Sequence, residues 1–240
     1  MQPYPNPPII EALIYVNIEP KIGFDVSAIE HLTIEDYAEK RPQFLFQGQF
    51  QMGDEISSTS VREKIGYMFE STDKKRLLQI RTNGFSCSHL APYTRWDGFC
   101  EEAKNLWDVY SKTLGDVKIT QIGLRYVNRI ELTLPLNDLK DWLQTFPEIG
   151  SDAGPDFSHF FMQVHVPQLD IGALAIINET IQPREIPPKA VYIMLDIDLT
   201  KNVDVPQDSK SLWEQFQILR DRKNKIFVGC ITKKTEELFV

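Results

Sequence analysis

The side chains of this 240-residue chain with the most chemical potential are cations, an amide and paired carboxylates on extended segments. Residues 121–132 read QIGLRYVNRIEL. As a strand, they place Ile122, Leu124, Tyr126, Asn128 and Ile130 on one face and Gly123, Arg125, Val127, Arg129 and Glu131 on the other. Arg125 and Arg129 then stand about 13 Å apart at ~3.3 Å per residue. That spacing suits two anionic groups, or one extended anion, gripped by planar guanidinium forks. Pairing with Glu131 or with carboxylates of a neighbouring strand would occupy the same side chains without a ligand. Asn128, on the apolar face, must find hydrogen-bond partners and reads first as a structural node. Arg81, in the run Arg81-Thr-Asn-Gly84, adds a third cation beside a glycine, where backbone can approach a ligand. Asp196 and Asp198, in YIMLDIDLT, share a strand face. They could hold Mg²⁺ or act as an acid–base pair, or form the solvated side of a strand whose Ile193, Leu195, Ile197 and Leu199 face a core. An arginine strand beside them would make a salt-bridge ladder and account for both sets.

Other chemistries lack their signatures. His31, His89, His159 and His165 show no zinc-binding spacing. Cys87 and His89 would share a strand face, but side chains there stand too far apart for a nucleophile–base contact. There is no phosphate loop and no GxSxG elbow. Cys87, Cys100 and Cys230 are odd in number and widely separated, as expected of free buried thiols in a reducing compartment. No catalytic set assembles, so the reading leans against an enzyme, and no cofactor is expected.

The elements that must position these residues follow from periodicity. Residues 9–18 alternate as a strand after a proline-rich lead-in. A capping-box spacing at Ser27 and Glu30 predicts a helix running towards Lys40. Strands are predicted over 44–52, 65–71 and 76–82, the last continuing through Gly84 to residue 90. The amphipathic pattern of Phe99, Ala103, Leu106, Tyr110 and Leu114 predicts a helix closed by Gly115. A shorter helix is expected over 137–146, then strands over 157–166, 172–181 and 190–199. A last helix, striped by Leu212, Phe216 and Leu219, opens at Ser211 and reaches residue 222 or 225; KIFVGCIT beyond it fits helix or strand. Runs of strands followed by helices indicate an α+β fold, with a mostly antiparallel sheet and helices packed on one face. LWDVY (106–110) and LWEQF (212–216) suggest two similar halves, 1–147 and 156–240, joined by a linker at 148–155, or one continuous domain.

The net charge of −8 opposes nucleic-acid binding, no apolar run is long enough to span a membrane, and the first residues lack a secretory pattern. A cytoplasmic protein is expected. PNPPIIEA (5–12), LRYVNR (124–129) and the late stretch 212–224 followed by Phe227 together resemble a sporadically distributed, uncharacterised bacterial family. Its signatures are a PNPPI-x-EA N-terminus and an LRY-x-NR strand. The resemblance implies a bacterial cytoplasmic protein and supplies no activity or catalytic residue. The leading expectation is a module that binds a partner protein or a small anionic ligand through Arg81, Arg125 and Arg129, with Asn128 supporting the strand. Alternatives are an Mg²⁺-dependent phosphoryl-transfer or hydrolytic enzyme using Asp196 and Asp198, and a structural or regulatory subunit such as a toxin neutraliser or defence-system component.

Overall fold

The computed structural model describes residues 4–52, 56–136, 138–150, 152, 159–183, 189–203 and 210–240. Among them the strands are β1 (Ile9–Ile18), β2 (Glu39–Met52), β3 (Ile56–Glu70), β4 (Arg76–Arg81), β5 (Gly84–Leu90), β6 (Ile119–Thr133), β7 (Phe160–Gln168), β8 (Ala173–Pro183) and β9 (Ala190–Asn202). The helices are α1 (Ser27–Glu30), α2 (Trp96–Leu114), α3 (Lys210–Cys230) and α4 (Lys233–Glu236). All nine strands join one sheet in the order β2-β3-β4-β5-β1-β6-β9-β8-β7, antiparallel throughout. The fold is α+β, and mostly sheet. None of the helices among the described residues is long and apolar enough to cross a membrane.

Strand alternation decides what each central strand buries. Ala12, Ile14, Val16 and Ile18 of β1 are buried, as are Ile122, Leu124, Tyr126, Asn128 and Ile130 of β6. Ile14 lies opposite Leu124, and Leu124 opposite Leu199, so the apolar faces of β1, β6 and β9 coincide. On this face Phe85 of β5 meets Trp107 and Tyr110 of α2 edge-on, with ring centroids 5.6 and 5.7 Å apart. Leu212, Phe216 and Leu219 of α3 join the same cluster. Further along α3, Phe227 and Cys230 pack with Ile130, Ile177, Ile193, Leu195 and Ile197 in a second cluster. Glu102 of α2 ties helix to sheet: it accepts from Tyr37 Oη and Arg76 Nη1 at 3.0 Å and lies 2.6 Å from His89 Nε2. Cys87, Cys100 and Cys230 are free and buried.

Several expected elements differ. The helix opened at Ser27 lasts one turn. Asp25 accepts from Ser27 N and Oγ, and by Glu39 the chain is already paired with β3. A short isolated helix is marginal, and the ladder to β3 outweighs it. The strand expected to pass through Gly84 is instead a hairpin: β4 and β5 pair with Arg81 opposite Gly84 around Thr82-Asn83. A Cβ on Gly84 would come within 2.9 Å of the Val16 carbonyl oxygen, so the glycine serves the β5–β1 approach rather than a bulge. Residue 137 lies outside the described residues, and the helical structure over 138–146 is a 3₁₀ turn, Leu139–Asp141, capped by Asp138, whose side chain accepts from Lys140 N at 2.9 Å. KIFVGC continues α3 to Cys230. Of 148–155, residues 151 and 153–155 lie outside the described residues; β6 before this stretch pairs with β9 after it, from Gln121–Asn202 to Thr133–Ala190.

β3 pairs with β4 only over Gly66–Glu70, whereas its pairing with β2 continues to Met52–Ile56. The outer part of β2–β3 is therefore a two-stranded ribbon projecting past the sheet. Leu45, Phe46 and Val61 are exposed on it, and the Arg62 guanidinium stacks 3.6 Å from the Phe44 ring centre.

Gly123 is required by packing. A Cβ there would fall 1.9 Å from Cζ of Tyr15, whose ring crosses β6 so that its hydroxyl reaches Asp198. Gly123→Ala is expected to cost about 1–3 kcal/mol through that overlap. A urea denaturation midpoint indistinguishable from the parent's would refute the packing account.

Candidate functional site

The cations expected to form a site lie apart. Arg125 grips Asp196 with Nε on Oδ1 and Nη2 on Oδ2, both at 2.8 Å, and Asn178 Nδ2 donates to the same Oδ2 at 3.0 Å. Asp198, opposite Arg125 in register, accepts from Tyr15 Oη at 3.0 Å. Burial pushes the Asp198 carboxyl upward, while the hydrogen bond to Asp196 pushes Arg125 further upward. Asp196 is thus spent on a guanidinium and an amide. No grouping of three or more His, Cys, Asp or Glu suited to a metal occurs among the described residues. Arg129 reaches over the Tyr192 ring, 5.0 Å from its centre. Arg81 is on β4, three strands from β6 and roughly 14 Å away at ~4.8 Å per strand. Its Nε is sealed without a hydrogen bond among the described residues. The arginines do not converge.

Asn128 is different. It is buried on the helix-covered face, where Nδ2 donates to Leu195 O at 3.0 Å, and it lines a pocket of about 320 Å³. Three segments far apart in sequence build that pocket. Pro7, Pro8 and Ile9 come from the lead-in, Tyr126 and Asn128 from β6, and Arg220, Lys223, Asn224 and Phe227 from α3. The turn into α2 closes the remaining side with Tyr93, Arg95, Trp96 and Asp97.

Local structure explains the placement. Proline rings at 7 and 8 forbid helix and hold the lead-in extended. Pro8 O accepts from Arg129 N at 2.8 Å, and Asn6 N donates to Phe239 O at 3.0 Å. Tyr4 packs edge-on against Phe227 and Phe239. The β1–β6 register shifts between Ile9 and Glu11, beside Asn128; such bulges re-aim a strand end. On α3 the buried stripe runs Leu212, Phe216, Leu219, Lys223, Phe227, Cys230. A lysine therefore occupies a core position of that helix.

Lys223 is 7% exposed, with Nζ 3.8 Å above the centre of the Tyr126 ring. No hydrogen bond or salt bridge to Nζ occurs among the described residues. Burial, reinforced by the nearby Arg220 charge, lowers its pKa from 10.5 to about 7. The Tyr126 and Tyr93 hydroxyls lie 3.0 Å apart, and burial raises both, Tyr93 to about 12. The ring face offsets part of the cost of an ammonium, but no carboxylate among the described residues does. Ionisable lining groups other than tyrosines are Arg95, Arg220 and Lys223 against Asp97, an excess of positive charge.

Of the expected site residues, the pocket contains Asn128 alone. Sequence reasoning missed Lys223, Arg220 and Tyr93. The signal for Lys223 was present: extending the Leu212–Phe216–Leu219 stripe by one further step of four lands on it. No family model matches the chain, and no curated protein matches it in sequence.

A second buried charge lies elsewhere. Glu179 on β8 is fully buried, neither carboxylate oxygen has a partner among the described residues, and desolvation raises its pKa from 4.5 to about 8. Between pH 4.5 and 8 the folded state holds a proton that the unfolded state has lost, so stability falls with rising pH. Lys223 acts oppositely: from about pH 7 to 10.5 the unfolded state holds the extra proton, so stability rises. Glu179→Gln is expected to flatten the first limb, removing a penalty of roughly 3 kcal/mol at pH 7, and Lys223→Met to flatten the second. Urea midpoints measured from pH 4 to 10 check both; unchanged limbs in the variants would contradict the assignments.

Proposed function

We propose that the chain is a binding protein for a small anionic ligand, held in the pocket between the proline lead-in, β6 and α3. One observation carries this: a buried lysine without an acidic partner among the described residues faces a cavity whose cations outnumber its carboxylates. An unpaired ammonium in apolar surroundings is costly, and an anion supplies the missing counter-charge. Arg220, one turn before Lys223 on α3, adds a planar fork for a carboxylate or phosphate. Asn128 orients the ligand, while Pro7, Pro8, Ile9 and Phe227 cover an apolar body. A volume of about 320 Å³ lies at the small end of the ~300–1,000 Å³ range of ligand pockets, which suits a small metabolite. The meeting of all three resemblance segments at this pocket supports reading it as the place where that family would act.

We also read the chain as two similar halves that divide between α2 and β6. β1 is followed by a meander returning to its own edge as β5, then α2; β6 is followed by a meander returning as β9, then α3. Leu106 and Tyr110 are buried on α2, as Leu212 and Phe216 are on α3. On this reading the 148–155 stretch lies within the second half.

A second reading, recognition of a partner protein, is favoured by the β2–β3 ribbon. Two strands alone are marginal in water, and Phe46 and Val61 stand exposed on them at 69% and 57%. A partner isolated with the chain from its native host should be lost on Phe46→Glu with Val61→Glu; retention would reject the ribbon as its site.

For the ligand reading, thermal-shift and calorimetric titration with small carboxylates and phosphates should reveal a stabilising anion. At one hundred times Kd it would add about 2.7 kcal/mol. Lys223→Met should weaken that anion at least tenfold, whereas Arg125→Ala should leave its affinity unchanged. Absence of any stabilising anion, or equal binding by Lys223→Met, would dismiss the reading.

A further inference from the structure

The pocket surrounds an amine with what imine chemistry requires. A lysine forms an imine only as the free base, and it needs room for a carbonyl, neutral groups to pass protons, and a site dry enough to favour loss of water. Lys223 meets the first condition by burial with no carboxylate partner among the described residues: its pKa near 7 leaves a large free-amine fraction at neutral pH. The other ionisable groups facing the cavity are Arg220 on α3, Tyr126 on β6, Tyr4 in the lead-in, and Tyr93, Arg95 and Asp97 at the entry to α2. Asp97 is the one carboxylate among them, and no contact joins it to Nζ among the described residues. Both oxygens of Glu179 are sealed, but Lys223 Nζ is not among the sealed atoms and its side chain borders the cavity.

We infer that Lys223 captures a small aldehyde or 2-oxo acid as a reversible imine, with Arg220 holding the substrate's anionic group. This rests on the anion-binding reading of the pocket and adds a covalent bond to it. The Nζ lone pair attacks the carbonyl carbon, forming the C–N bond, while the C=O π pair moves to oxygen, which takes up a proton. The resulting carbinolamine loses its hydroxyl as water; nitrogen loses its remaining protons in the exchange, and the C=N bond forms. A carbonyl compound and an amine become an imine and water, with no change of oxidation state. Tyr126, its ring 3.8 Å from Nζ, and Tyr93, hydrogen-bonded to it at 3.0 Å, stay protonated at neutral pH and can pass protons. Asn128 Oδ1 has no hydrogen bond among the described residues and is free to accept from the carbinolamine hydroxyl. Arg220 and Lys223 are i and i+3 on one helix face, so a carboxylate next to the carbonyl carbon can be held while Nζ attacks. That arrangement favours a 2-oxo acid over a neutral aldehyde.

The test is reductive trapping of the 240-residue chain at pH 7 with pyruvate, and in parallel with propanal, each with cyanoborohydride, followed by peptide mapping. The expected result is one reduced adduct per chain on the Lys223 peptide, at least tenfold faster than at any other lysine. The trapping rate should be half-maximal near pH 7. Lactate, an anion of similar shape without the carbonyl, should slow trapping by competition. Arg220→Ala should keep trapping by propanal and lose the preference for pyruvate, which a merely structural role would not do. Labelling spread evenly over surface lysines would overturn the imine. If lactate raises Tm in the parent but not in Lys223→Met, and no adduct forms at Lys223, the imine is wrong and the anion site stands. If neither lactate nor pyruvate binds and no adduct forms, both readings fall.

Discussion

A strand can offer only every second side chain to a given face, and that constraint on β6 organises the molecule. Its even positions, from Ile122 to Ile130, lie beneath the helices; its odd positions, Arg125 and Arg129 among them, lie on the opposite side. β6 stands in the middle of the sheet, between β1 and β9, so its alternation is imposed on both neighbours through the ladder. A slip of one residue would drive Arg125 into the core and Leu124 out of it. The Arg125–Asp196 pair, the Tyr15–Asp198 hydrogen bond and the close passage of Tyr15 over Gly123 all describe one register from the outer side.

The same alternation separates two kinds of polarity. On the outer face opposite charges meet across strands, and Arg125, Asp196, Asn178, Tyr15 and Asp198 account for one another. Arg125 is partly exposed, so this network contributes modestly to stability, and its bidentate grip on Asp196 commits two of the five guanidinium N–H donors. On the helix-covered face, Lys223 and Glu179 are buried without a hydrogen-bond or ion-pair partner among the described residues, and burial shifts each towards its neutral form. They differ in surroundings. Glu179 is sealed in apolar packing, whereas Lys223 opens onto a cavity with Arg220, Asn128 and two tyrosine hydroxyls. A destabilising group that borders a cavity is where ligand chemistry is to be sought.

Where local pattern and long-range pairing agreed, the elements were legible. β1 has the bounds its alternation predicts, and α2 ends at Gly115, whose φ of 70° is what a helix stop favours in glycine. Where they competed, the ladder won: Ser27–Glu30 carries a helix-start spacing, yet the chain soon pairs with β3. Asp196 and Asp198 were legible as a carboxylate pair sharing a face. Which cation would answer them depended on β9 lying next to β6.

The amino-acid sequence by itself determined the antiparallel α+β character, most strand positions, the two faces of β6 and the burial of Asn128, because periodicities of two and near 3.6 are local properties of the chain. It also held the clue to Lys223, a lysine on the apolar stripe of α3. Only the tertiary structure decided that the arginines disperse while Pro7, Asn128 and Lys223 converge. Convergence depends on strand order and on where α3 crosses the sheet. Both are set by contacts between residues tens to more than a hundred positions apart, which no local spacing encodes.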